Sequence, residues 1–308
     1  MKRFREKHPL LASLMILAVM FAGLPAGNVL VGIAAAVPPL TEFLGDYGIQ
    51  LLAELSMLVV MVLMTFLWKM ERVFTCRGRG FGQSLLPAAP LLALYAIAGV
   101  ESLMFSLEGL MLGDGSPLQN PLHILLFVLC MAAVGITEEL TFRGMIAGMF
   151  YEKYGATPAG VWLSVMASSL LFGLVHITNA IGGAASLSGV LIQMVVAIAM
   201  GMCFAALYFR CRNLWAVAAV HGFMDFCALL TGGIFQGDSL TDIIDGYSVA
   251  NLLGFAIYVV IALILLRPYY MRQITSRPDS DLSTTIKLGV TTGLVGVLVG
   301  AVAVLSVV

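Results

Sequence analysis

Long apolar stretches alternate with short polar ones along the whole chain. The apolar segments run over 10–37, 49–68, 85–107, 121–150, 159–178, 187–209, 214–232, 248–266 and 286–307. A stretch of about 18 apolar residues or more can cross a bilayer, and in lipid only helices and closed barrels satisfy their own backbone. Runs this continuous predict helices. The expected fold is all-α, a polytopic integral membrane helical bundle of about nine transmembrane helices (eight to nine), with residues 1–308 forming a single membrane domain. Pro25 and Gly27 interrupt the first segment and predict a kink or a shorter span there. The fourth segment is too long for one straight crossing, which predicts tilt or a projection beyond the bilayer.

Composition agrees with this reading. The 308 residues are 60% hydrophobic and 11% charged, with a mean hydropathy of +1.01, whereas soluble domains are about 45–50% apolar. The net charge of −1 hides an asymmetry. With the N-terminus placed in the cytoplasm, alternating spans put Lys2, Arg3, Arg5, Lys7, Lys69, Arg72, Arg77, Arg79, Lys153, Arg210, Arg212, Arg267, Arg272, Arg277 and Lys287 on the inner side. Arg143 falls on the inner part of the fourth span. The outer loops keep Glu42, Asp46, Asp114, Asp238, Asp242 and Asp245. The first segment has a basic start like a signal peptide, but its apolar character continues to Val37, which favours a retained span.

No long basic run carries interleaved aromatics, which argues against a nucleic-acid partner. The five cysteines show no CxxC pair or metal-ligand spacing, so neither a disulfide nor a structural zinc is expected. Gly289, Gly293, Gly296 and Gly300 make small-residue patterns in the last segment that suit close helix contact, and a homodimer through that helix is one expectation. His8 and His123 are expected in solvated positions.

The candidate chemistry lies in ionisable groups set inside apolar segments. A charge at the centre of a bilayer costs about 2.5–3.5 kcal/mol on insertion scales, so such groups face one another or a wet cavity. Glu138-Glu139-Leu140-Thr141-Phe142-Arg143 puts Glu139 and Arg143 four apart on one helical face, with Glu138 about 100° away. Arg143 is expected to neutralise Glu139, leaving Glu138 free to face a cavity as a general base. His176 follows Phe172 by one turn in the next segment, and His221 precedes Asp225 by one turn two segments later. Phe172 and Phe223 are expected to line the cavity. Glu54 and Glu101 also fall in apolar stretches, with no motif around them.

The order EExxxR, FxxxH, HxxxD resembles the CPBP intramembrane proteases, which include type II CAAX prenyl endopeptidases and bacterial bacteriocin-processing or immunity homologues. The resemblance covers about 120–230, a CPBP-like catalytic core flanked by transmembrane helices over 1–119 and 233–308. It implies an intramembrane endopeptidase acting on a membrane-embedded or membrane-tethered, CAAX-like peptide or protein substrate. It also implies a multi-pass protein of the bacterial plasma membrane, in contact with membrane lipid. Glu138 would activate water with His176, while His221 and the residue four further on would stabilise the oxyanion. That residue is Asp225 here, where prenyl-processing members usually carry Asn. A carboxylate donates a hydrogen bond only when protonated, so Asp225 is expected instead to orient His221.

Three alternatives stay open. Glu138, His176 and His221 also form a legitimate catalytic zinc set, although the HExxH helix is absent. The constellation could serve a non-proteolytic membrane adaptor or immunity protein, or a proton-coupled carrier. The carrier predicts related halves, and the sequence shows no such repeat.

Overall fold

The structure is a computed structural model describing residues 2–75, 78–113, 115–183, 185–237 and 240–275. It is built from helices: α1 (Lys2–Lys7), α2 (Pro9–Ala35), α3 (Pro38–Leu67), α4 (Phe81–Leu112), α5 (Pro121–Glu139), a π-helical segment (Leu140–Ala147), α6 (Gly148–Tyr154), α7 (Pro158–Val175), α8 (Leu187–Cys211), α9 (Leu214–Ala228), α10 (Leu230–Ile234), α11 (Leu240–Asp245), α12 (Leu252–Leu265) and α13 (Pro268–Thr275). Short 3-10 turns precede α4, follow α7 and lead into α12. Each apolar segment that falls among the described residues is helical, as expected of an all-α polytopic membrane protein. Among the described residues five continuous helices are long and apolar enough to cross a bilayer, and a sixth arises if Val249–Leu265 and Pro268–Thr275, bent by 60°, form one span. Pro9–Gly23 and Leu214–Ala228 are shorter apolar helices. The segment 286–307, with its glycine pattern, lies outside the described residues.

Local sequence sets where the central helices begin. Asn120, Thr157, Ser186 and Asn213 each cap a helix by accepting the backbone N–H three residues on: His123, Gly160, Gly189 and Ala216 respectively. Proline at the first position of α5 and α7 supplies a preset φ where no N–H is needed. The chain turns back sharply at 155–157, between α6 and α7, and again at Arg212–Asn213, between α8 and α9. Arg212 takes a left-handed conformation with φ 50°. The second turn is pinned to residue 79: the Arg79 N–H donates to the Cys211 carbonyl at 2.9 Å, and Asn213 Nδ2 donates to the Arg79 carbonyl at 3.1 Å.

Helix continuity differs in two other places. α2 is helical over Pro9–Ala35, with its apolar part at Pro9–Gly23, in keeping with a shorter span before Pro25 and Gly27. A break lies in α3, at Gly45 (φ 59°, ψ −177°). Carbonyls freed there are met by His123 of α5, whose Nε2 lies 3.1 Å from the Glu42 oxygen and 3.2 Å from the Phe43 oxygen. His123 is thus a half-buried pin rather than a solvated residue. The seventh segment is also not one span: the helix stops at Ala228, and Leu229 (φ −105°, ψ 12°) separates α9 from α10. At 15 residues α9 is about 22 Å long, short of the roughly 30 Å hydrocarbon layer.

α5 is the central strut, packed on α3, α9 and α10, while α8 packs on α7 and α12. α5 and α9 approach each other closely. A Cβ added at Gly135 would stand 2.6 Å from the Ala218 oxygen and 2.8 Å from the Gly222 nitrogen, and one at Gly222 would stand 2.8 Å from the Met131 oxygen. Only glycine lets these backbones touch. Gly135→Val should therefore lower stability by about 1–3 kcal/mol through overpacking, read as a fall in the thermal unfolding midpoint in detergent. An unchanged midpoint would mean that α5 and α9 do not meet here.

Candidate active site

The glycine contact brings the end of α5 against the middle of α9. Glu139 is fully buried there. Its Oε1 accepts two bonds, from Arg143 Nη1 at 2.9 Å and from His221 Nδ1 at 2.7 Å. Arg143 sits in the π-helical segment that continues α5 and is also fully buried. Its guanidinium carbon lies 4.4 Å from the Phe172 ring centre, 5.4 Å from Phe204 and 6.0 Å from Phe142. Nε and Nη2 make no hydrogen bond among the described residues, and the aromatic faces are what surrounds them. Short π-helical insertions inside α-helices recur at functional sites.

His221 is held on three sides. Its ring stacks on Phe204 (centroids 4.8 Å apart, planes at 29°) and meets Phe172 edge-on at 5.8 Å. With Nδ1 on Glu139, the second nitrogen faces outward: Nε2 lies 3.4 Å from Glu138 Oε2 and 3.5 Å from Asp225 Oδ2. A lone pair on Nε2 would confront two carboxylate oxygens, so at least one proton resides on that nitrogen or on one of the acids. Glu138 is the most accessible of the three carboxyls, with 27% of its side chain exposed against 18% for Asp225 and none for Glu139. Asp225, expected to orient His221, lies beside its Nε2, while Glu139 makes the shorter bond and holds the other ring nitrogen.

His176 closes α7. Its Nδ1 lies 2.9 Å from the Phe172 carbonyl, which accepts the Nδ1–H and so leaves Nε2 for another partner. The Phe172 ring stands between the two imidazoles, 5.2 Å from His176 at 81° and 5.8 Å from His221 at 83°. Counting depth from the bilayer edge sets His176 and Glu138 at different levels. Counting from the turn at 155–157 brings them level, because they are almost equidistant from it along two antiparallel arms. Glu138 reaches His221 directly, whereas His176 joins the group through Phe172.

Among the described residues no three His, Cys, Asp or Glu side chains are placed to hold a metal ion. Each imidazole has its Nδ1 on a protein oxygen, which turns Nε2 outward.

Three residues have contacts that spacing did not show. Phe204 lies in an apolar run where one more aromatic means nothing by itself. Glu139 looked like a simple partner of Arg143. Glu54 of α3 has a buried Oε2 without a hydrogen bond and interacts electrostatically with Glu138 and Asp225. Glu101 is exposed on α4.

Residues 120–227 match the family described as type II CAAX prenyl endopeptidase Rce1-like. The match opens at the cap of α5 and closes inside α9, so it contains every residue of the group except Glu54. The chain is also similar to the "Putative membrane peptidase YdiL" of Bacillus subtilis (strain 168), 33% identical over 146 residues, which is 43% of this chain and 53% of the relative. It thus spans about half the length of that relative. The matched segment 120–227 is the one that carries the three motifs noted in the sequence.

Removing one partner of a buried pair leaves an uncompensated charge, at a cost of about 3–5 kcal/mol. Arg143→Met should therefore destabilise the protein strongly, and adding Glu139→Gln should recover more than half of the loss. A double-mutant cycle on thermal unfolding checks this, and strictly additive losses would contradict the pairing.

Proposed function

We propose that the protein is a membrane endopeptidase that hydrolyses a peptide bond in a membrane-embedded or membrane-tethered substrate. The observation that carries this reading is the 3.4 Å approach of Glu138 Oε2 to an imidazole nitrogen whose ring is locked from behind by Glu139. An accessible carboxylate beside a rigid imidazole is what activation of water requires. Glu138 removes a proton as the water oxygen adds to the scissile carbonyl carbon. His176, with Nδ1–H fixed on a carbonyl, holds that water through its free Nε2. The developing oxyanion is met by a proton on His221 Nε2, with Asp225 stabilising the charged ring. As the C–N bond breaks, Glu138 returns its proton to the leaving amine.

The segregation of charge supports a multi-pass cell-membrane protein with a cytoplasmic N-terminus. Basic residues cluster at one end, where Arg5 pairs with Glu152 at 2.9 Å and Lys153 Nζ donates to the Lys7 carbonyl at 2.7 Å. At the other end Asp245 accepts the Ser186 N–H. By the positive-inside rule the basic end is cytoplasmic. The match to prenyl endopeptidases supports a CAAX-like peptide as the first substrate to try.

A peptide library offered to the purified protein in detergent tests the reading. Glu138→Gln and His176→Ala should each reduce cleavage by roughly 10²–10⁴-fold, with unfolding midpoints close to the parent's and cleavage indifferent to chelator. Full cleavage by Glu138→Gln would remove the proposed base. A cellular phenotype that survives both substitutions would point to an adaptor instead.

A further inference from the structure

The basic end holds a second cluster that the hydrolytic site does not use. Arg210, in the last turn of α8, is only 6% exposed, and its guanidinium carbon lies 3.2 Å from the ring centre of Tyr270 in α13. Arg267 approaches the same ring at 4.6 Å and donates from Nη2 to the phenol oxygen at 3.0 Å. Arg212 lies close by, 5.6 Å over Tyr151, whose hydroxyl donates to the Ile274 carbonyl of α13.

Two guanidinium groups on one ring repel one another, and a buried cation is costly unless an anion answers it. The protein supplies none among the described residues. No Asp or Glu occurs in α8, α12 or α13, and Glu152 of α6 is engaged by Arg5. The C-terminal end of α8 contributes only about half a negative charge. Guanidinium forks suit phosphate oxygens in particular. Beside the cluster, Leu263 (52% exposed), Ile264 (55%) and Tyr269 (56%) present apolar surface outward. A charged head next to exposed hydrocarbon is the profile of a lipid rather than of a soluble ion.

We propose that Arg210, Arg267 and Tyr270, with Arg212 beside them, bind the phosphate group of an anionic phospholipid at the basic end of the bundle. This site is independent of hydrolysis, so binding is read without any substrate. Full-length protein in neutral detergent is titrated with phosphatidylglycerol, and bound lipid is counted by native mass spectrometry. Phosphatidylcholine of the same chains and inorganic phosphate serve as separate arms. Phosphatidylglycerol should bind saturably and phosphatidylcholine should not. Arg267→Gln, at an exposed position where folding is safe, should weaken binding about fivefold, the factor expected for one basic residue at a membrane surface. Lys69→Gln at the same end should leave it unchanged. Equal binding of the two lipids, or equal losses in the two variants, would reduce the site to a diffuse field and overturn the proposal. Displacement of phosphatidylglycerol by equimolar inorganic phosphate would assign a soluble anion and overturn the lipid.

Discussion

One carboxylate oxygen, Glu139 Oε1, organises the centre of this protein. It accepts from Arg143 on its own helix and from His221 on another, so a single buried atom sets both the register of α5 and the rotation of a ring on α9. In a medium that solvates charge poorly, such a pair is costly to form and costlier to break. Arg143 meets that cost partly through the faces of three phenylalanines. The arrangement leaves one nitrogen of His221 and the neighbouring Glu138 directed toward the accessible side. Support and chemistry are thus divided between adjacent residues: Glu139 is sealed in, and Glu138 is left partly open.

The backbone makes this division possible. Gly135 and Gly222 let α5 and α9 approach more closely than any side chain would permit, which places His221 within reach of both glutamates. The turn at 155–157 folds the chain so that His176 returns to the level from which Glu138 departed. The turn at Arg212–Asn213 does the same for Phe204 and His221, which stack at 4.8 Å. Phe172 then fills the space between the two imidazoles. Two tight turns and one glycine contact bring together groups far apart in sequence.

Much of this was legible from spacing. Long apolar runs announce membrane helices, and residues four apart announce a shared face, which is why Glu139–Arg143 and His176 beside Phe172 could be anticipated. Contacts between helices were less accessible. His221 looked like a partner of Asp225 because the two share a helix, yet its shortest bond goes to Glu139, a choice made by the crossing of α5 and α9. Gly45 and His123 gave no warning that α3 breaks there and that α5 supplies the repair. Glu54 faces the group from α3, outside the motif-bearing segment, and only tertiary packing brings it near.

The most direct test of the central interaction is ¹⁵N NMR of the protein labelled at histidine, where only four residues contribute. The account predicts one histidine whose Nδ1 carries a proton in a strong bond to a carboxylate, and a shift of that signal on Glu139→Gln while the His176 signal stays in place. A His221 spectrum indifferent to Glu139→Gln would contradict it.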